Sequence, residues 1–260
     1  MLLHQPFYLL TPSPWPITIS MSLLSTALSV ITWMHQINPY PIMYSLMLTT
    51  LIIYLWSKDM SRESSILGFF TIPMLTNLQT SMILFIMSEI LFFTSFFWML
   101  FHTSLSPNIS LGLHWPPSGI KSFSPTEIPL LNTLVLLGSG ASITWSHHSL
   151  LNKNYSQFLF SLSLTIILGT YFTFLQLLEY NLAPFALSES IFSSMFFLST
   201  GFHGFHVILG SSLLVLSLTR FLLLLMTPEH HFSFEASAWY WHFVDVIWLF
   251  LYLSIYWWST

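Results

Sequence analysis

Residues 156–180 read SQFLFSLSLTIILGTYFTFLQLLEY. A helix needs about 20 mainly apolar residues to cross a bilayer, and this run has that length. Its apolar side chains are continuous through Ile166–Leu168 and do not alternate in ten-residue segments. The run therefore reads as a spanning helix, in which every backbone polar group is satisfied internally, and not as a strand of a membrane barrel. Scanning outward finds six more such runs, at roughly 15–35, 40–57, 78–104, 128–149, 190–225 and 233–258. The run through Leu213–Leu216 is as continuous as the first. The reading is an all-α membrane protein with seven transmembrane helices in a single polytopic domain over residues 1–260.

Composition gives the same class. Of 260 residues only 5% are charged, 54% are hydrophobic and 18% aromatic, and mean hydropathy is +0.73. A soluble domain carries about a quarter charged residues, so this chain cannot coat a water-facing surface. There is no basic patch, which argues against nucleic-acid binding. Cysteine is absent, which excludes disulfides, iron–sulfur clusters and thiolate metal sites. Met1 to Pro16 has neither the pattern of a secretory signal nor that of an Arg-rich transit peptide. Synthesis in the compartment where the protein works is the expectation.

Punctuation falls between the runs. Ser13-Pro14-Trp15-Pro16 reads as an N-cap serine with proline in the first turn. Asn38-Pro39-Tyr40-Pro41 separates the first two spans, and Asn152, Lys153 and Asn154 form a tight polar turn. The longest loop, about 104–129, holds five prolines. Trp239, Trp241, Tyr256, Trp257 and Trp258 lie near the ends of the last span, as an interfacial aromatic belt would. With seven spans, Lys58, Arg62, Lys153 and Arg220 share the side of the N-terminus, against Lys121 opposite. The positive-inside rule then puts the N-terminus on the side of synthesis and the C-terminus across the membrane.

A few residues could carry chemistry. Glu89 lies mid-span in an apolar run, where a charged carboxylate costs at least ~2.5 kcal/mol, so it is a functional candidate by default. It could serve proton transfer, or hydrogen-bond a neighbouring helix or a lipid head group. No cation or second carboxylate lies within a turn of it, so it reads as isolated. His203 and His206, three apart, share a helix face. Interhelical hydrogen bonding by neutral imidazoles suits them better than metal binding, for want of a third ligand. Gly201 and Gly204 form a small-residue patch that would let a helix approach closely. His147-His148 and His230-His231 read as interfacial, since adjacent histidines point about 100° apart on a helix. No metal set is expected. In the last span Glu235, Trp239, His242, Asp245 and Leu249 recur at 4-3-3-4 spacing and share one face. His242 and Asp245 can pair at i, i+3. A proton path is the sharper reading of this stripe; a buried packing face is the one expected.

These residues also carry a resemblance. Ser13-Pro14-Trp15-Pro16, Arg62-Glu63, Ile83 to Phe97 with Ser88-Glu89, Trp115-Pro116-Pro117 and Pro129-Leu130-Leu131-Asn132-Thr133 belong to it. So do Thr144-Trp145 with His147-His148, Thr200-Gly201-Phe202-His203-Gly204, and the closing run from His231 through Trp239-Tyr240-Trp241-His242-Phe243-Val244-Asp245 to Tyr252. In this order, over essentially the whole chain, they resemble subunit III of the haem–copper cytochrome c oxidases, in its mitochondrially encoded form.

The resemblance implies seven helices, with the first two splayed from a five-helix bundle to form a V-shaped, lipid-filled cleft. It implies a mitochondrial inner-membrane location with the N-terminus in the matrix and the C-terminus in the intermembrane space. The implied partners are subunit I, other oxidase subunits and membrane phospholipids, with room for association in a respiratory supercomplex. The complex would move electrons from cytochrome c to dioxygen and pump protons. This chain would be a non-catalytic subunit that binds no haem or copper, stabilises the catalytic subunit and sustains proton uptake. Glu89 would support that uptake. Tyr54, Trp56, Arg62 and Arg220, with Glu89, would meet structural phospholipids: cardiolipin, phosphatidylethanolamine and phosphatidylglycerol. Glu235, His242 and Asp245 would form the buried polar stripe. The chain departs from the family at Gly68-Phe69-Phe70-Thr71, where relatives often read Gly-His-His-Thr, and at Leu223, where relatives can carry a further cation. Two rival functions are a haem-binding redox subunit and a secondary transporter. The first would need axial histidines on facing helices, and the second usually shows inverted repeats.

Overall fold

A computed structural model describes residues 12–36, 38–65, 68, 70–109 and 112–259. Seven helices are long and apolar enough to span a membrane, and no strand occurs among the described residues. They are α1 (Trp15–Gln36), α2 (Tyr40–Ser65), α3 (Ile72–Leu105), α4 (Ile128–Leu151), α5 (Tyr155–Leu182), α6 (Ile191–Leu222) and α7 (Phe232–Leu251). A π-helical turn, Tyr252–Trp257, extends α7. Hydropathy located all seven but undershot two ends. α2 runs on past residue 57 through Lys58, Asp59 and Arg62, and α3 starts at Ile72. Backbone hydrogen bonding continues a helix into water, where an apolar window loses sight of it.

Local chemistry sets several ends. α4 has proline in its first turn, where no amide partner is needed. In the turn between α4 and α5, Lys153 takes a left-handed φ of 58° and Asn154 Oδ1 accepts from the Gln157 amide at 3.5 Å. α6 opens with a reciprocal cap in which Ser190 and Ser193 bond each other's backbone amides.

The chain divides into two compact units, one reaching to Leu78 and one starting at Gln79. In the first, α1 and α2 pack together. Their facing positions are small and hydroxylated: Ser22 and Ser29 on α1, Ser45 and Thr49 on α2, all buried. Ser29 Oγ and Ser45 Oγ meet at 2.7 Å. Near the N-terminus of α1, Trp15 Nε1 donates to Asp59 Oδ2 at 2.8 Å. Lipid offers helices no hydrophobic drive to associate, so small side chains and interhelical hydrogen bonds do that work.

In the second unit α4, α5, α6 and α7 form a ring of neighbours, with α7 closing back on α4. Serines at 139, 142, 146 and 149 line the buried face of α4, and Ser161, Thr165 and Gly169 line that of α5. Ser142 and Thr165 hydroxyls meet at 2.7 Å, and Ser217 and Ser237 join α6 to α7 at 3.2 Å. At the centre lies the fully buried indole of Trp241. Its Nε1 donates to Ser139 Oγ at 2.9 Å. A Cβ on Gly169 would come within 2.5 Å of the ring, and one on Gly210 within 2.9 Å. Close approach is thus made at Gly169 and Gly210, not at the Gly201 and Gly204 patch. A Cβ at Gly204 meets nothing within 4 Å, and one at Gly201 reaches only the Tyr180 hydroxyl at 3.9 Å.

α3 joins this ring through long side chains. Phe92 and Phe96 pack on Phe202 at 5.1 and 5.5 Å between ring centres, Phe97 on Phe250 at 6.1 Å and Phe101 on Trp258 at 5.9 Å. Edge-on or offset aromatic pairs contribute ~0.5–1.5 kcal/mol each beyond burial.

Gly169→Ala is expected to lower the stability of the chain in detergent by ~1–3 kcal/mol, since a packed indole has to shift. Gly204→Ala, at an open position, should be neutral or stabilising by up to ~1 kcal/mol through helix propensity. Thermal unfolding followed by far-ultraviolet circular dichroism separates the two.

Candidate functional site

Glu89, on α3, is not isolated. Its Oε2 lies 3.0 Å from Nε2 of His206 on α6. The partner stands 117 residues away in sequence, on another helix, far outside the one turn around Glu89. His206 Nδ1 is 2.7 Å from the Phe202 carbonyl oxygen. A carbonyl only accepts, so Nδ1 carries a proton and the tautomer is fixed. Only Nε2 then faces Glu89. Either the carboxylic acid donates to Nε2, or an imidazolium donates to the carboxylate. In both forms one proton is shared between the two atoms. Phe93 packs edge-on against the imidazole at 5.1 Å, Tyr240 stacks on it at 6.2 Å, and Phe243 lies at 6.1 Å. The His206 side chain is 7% exposed and that of Glu89 23%, so the pair is walled by aromatics yet reachable from one side.

His203 turns the other way. Its Nε2 donates to the Val244 carbonyl at 3.2 Å, and its ring packs against Phe172 and Trp248. Interhelical hydrogen bonding is what these histidines do.

The α7 stripe is divided among different surroundings. Asp245 is buried, and its Oδ2 lies 2.6 Å from where a Gly140 Cβ would stand, so a side chain at 140 would force Asp245 to shift. His242 is half-buried and faces the same glycine. No hydrogen bond joins His242 to Asp245 among the described residues, and Asp245 Oδ1 has no partner. Glu235, half-buried at the start of α7, meets Gln79, whose Nε2 donates to Oε2 at 3.4 Å, and His231, whose Nε2 lies 3.3 Å from Oε1. The expected i, i+3 pair is replaced by contacts to α3, α4 and the residue preceding α7.

Tyr54 and Arg62 are exposed and Trp56 is half-buried, all on the last half of α2. Arg220 is half-buried in the last turn of α6. Phe69, one of the two departures in the Gly68–Thr71 segment, lies outside the described residues.

One polar cluster escaped the sequence reading. Asn132 on α4 and Gln176 and Glu179 on α5 are all buried. Asn132 Nδ2 donates to Gln176 Oε1 at 3.4 Å. Next to Glu179 on the chain, Tyr180 shares a 2.7 Å hydrogen bond with Thr200 of α6. The signal was available: Gln176 and Glu179 stand three apart inside an apolar run, on one helix face.

A family profile for cytochrome c oxidase subunit III matches residues 5–260. Proteins named cytochrome c oxidase subunit 3 from Pelomedusa subrufa, Papio hamadryas and Aedes aegypti are 54%, 51% and 49% identical over 256, 259 and 257 residues. Those alignments cover 98 or 99% of this chain and 98 or 99% of each relative.

Glu89→Leu should strand the buried His206 Nε2 and destabilise the α3–α6 contact by ~1–3 kcal/mol. Glu89→Gln should retain most of that stability, because a side-chain amide can donate to Nε2. The temperature at which the chain is lost from its complex in detergent reads both.

Proposed function

The chain belongs to the cytochrome c oxidase subunit III family, and from that premise we propose that it is the non-catalytic subunit that stabilises subunit I and sustains proton uptake. It is an accessory subunit of cytochrome c oxidase, has other oxidase subunits as partners, and is a multi-pass protein of the mitochondrial inner membrane. Electron transfer from cytochrome c to dioxygen, with its haem and copper, belongs to the partner subunits. The donor set here suits neither group. There is no cysteine for a dinuclear copper site, and His203 and His206 stand on one helix, with His203 Nε2 and both His206 nitrogens held by protein oxygens. Four of the five cations on one side support an N-terminus in the matrix and a C-terminus in the intermembrane space. A place in a respiratory supercomplex is part of the same reading.

The observation that carries the proton role is the 3.0 Å Glu89–His206 approach. A shared proton in a site walled by aromatics can be held, released and regained with little rearrangement, because the Phe202 carbonyl keeps the imidazole oriented. Glu89 thus supports proton supply to the catalytic subunit without touching the reacting atoms. Glu89→Gln keeps the hydrogen bond but removes the exchangeable acid. The variant oxidase should assemble and start at a normal rate, then lose sustained turnover increasingly as pH rises and protons become scarce. Equal turnover to wild type across the pH range would leave Glu89 a packing residue.

A lipid role rests on Arg62 and Arg220, each near the end of a spanning helix, where a guanidinium can fork onto a phosphate. Tyr54 and Trp56 present amphipathic rings just before Arg62. Cardiolipin is the anionic lipid of choice, with phosphatidylethanolamine and phosphatidylglycerol as further structural lipids, and Glu89 is a further polar contact for a head group. Each charged contact is worth about 1.5–3 kcal/mol. Leu223, one turn beyond Arg220, supplies no second cation there, so binding at Arg220 should be weaker than in relatives that have one. Replacing Arg62 and Arg220 together by Gln should cut the cardiolipin that co-purifies with the complex, read by mass spectrometry, while Lys58 and Lys153 preserve the orientation. Unchanged lipid content would make the arginines topology signals only.

A further inference from the structure

A second cluster of ligating side chains lies where the last turn of α4 meets the start of α7. His147 of α4, His231 at the N-cap of α7 and Glu235 one turn later each offer one ligand atom, and these atoms all lie within 4.8 Å of one another. His231 Nε2 and Glu235 Oε1 are 3.3 Å apart. The two imidazoles face each other at 5.7 Å between ring centres, and Phe234 closes one side at 5.8 Å from His147. The other Glu235 oxygen accepts from Gln79 Nε2, which turns Oε1 toward the histidines.

His231 is the informative member. Its side chain is only 10% exposed; Nδ1 has no hydrogen-bond partner, and Nε2 has the Glu235 carboxylate at 3.3 Å but no hydrogen bond. A buried imidazole nitrogen without a hydrogen bond is costly, so native structures normally fill such a place. Two imidazole nitrogens and one carboxylate oxygen are a borderline donor set of the kind that holds zinc, with a fourth position left open. Calcium and magnesium would demand six or more oxygens. Bonds of ~2.0–2.1 Å in a tetrahedron space ligand atoms ~3.4 Å apart. The His231–Glu235 pair already stands at that spacing, and a His147 ring nitrogen lies within 4.8 Å of both.

We propose that His147, His231 and Glu235 bind one divalent transition-metal ion of the zinc class, which clamps the end of α4 to the start of α7. Gln79 is a positioning residue that extends the clamp to α3. The site lies apart from Glu89 and His206 and does not depend on their role.

The test uses the intact oxidase complex, washed with EDTA and equilibrated with micromolar zinc chloride. Zinc per complex is measured by atomic absorption after gel filtration, and the site is located by anomalous diffraction at the zinc edge. One additional zinc is expected, within ~2.0–2.2 Å of the three ligand atoms. His231→Gln should weaken uptake at least tenfold, and Gln79→Leu by about 10–100-fold through loss of carboxylate orientation. No zinc at these side chains at micromolar concentration, or equal uptake by wild type and His231→Gln, would overturn the proposal. Should His231→Gln fail to assemble, carbethoxylation of the unaltered complex decides. Zinc should protect His147 and His231 while the exposed His148 and His230 react as before, and an absence of selective protection refutes the site.

Discussion

The indole of Trp241 occupies the centre of the α4–α7 ring, and its neighbours are built around it. It is fully buried, bonds Ser139 of α4, and lies so close to Gly169 of α5 and Gly210 of α6 that neither position has room for a methyl group. One large side chain thereby fixes the spacing of three helices relative to the fourth. In a bilayer this matters more than in water. Apolar surface gains little by leaving lipid, so helices associate where shapes fit and polar atoms find partners. Trp241 supplies both, a rigid plate to pack against and a donor that must be satisfied.

The same economy runs through the rest of the unit. Hydroxyls meet across helices at Ser142–Thr165 and Ser217–Ser237, amides at Asn132–Gln176, and phenol and hydroxyl at Tyr180–Thr200. Each pair places a polar contact where lipid would leave it unsatisfied. α3 uses a different device. Phenylalanines along one side reach across to α6, α7 and the π-helical end. Within this apolar contact the Glu89–His206 pair and the Gln79–Glu235 bond are polar fixed points. A carboxyl group there is tolerable because it has a partner, and its aromatic walls keep the partner oriented.

Polar residues inside apolar runs are legible as single letters, among them Glu89, His203, His206, Glu235, His242 and Asp245. Their partners were not visible. His242 and Asp245 are three apart and could have paired, yet both face Gly140 of α4. Gly201 and Gly204 look like a close-packing patch, yet Gly140, Gly169 and Gly210 are the crowded glycines. Spacing along one helix states which residues share a face. It does not state which neighbour that face meets, because that depends on the rotation of each helix about its axis.

By itself the sequence determined what is local. Hydrophobic run length placed seven helices, since spanning ~30 Å at 1.5 Å per residue is a property of one segment. Charge scarcity fixed the class, and ordered motifs over the whole length carried the family. Only the tertiary structure decided which distant residues share a proton or converge as ligands. Glu89 and His206 are 117 residues apart, and His147 and Glu235 lie on different helices. Such encounters follow from the packing of large and small side chains around Trp241, a collective outcome that no single window of sequence contains.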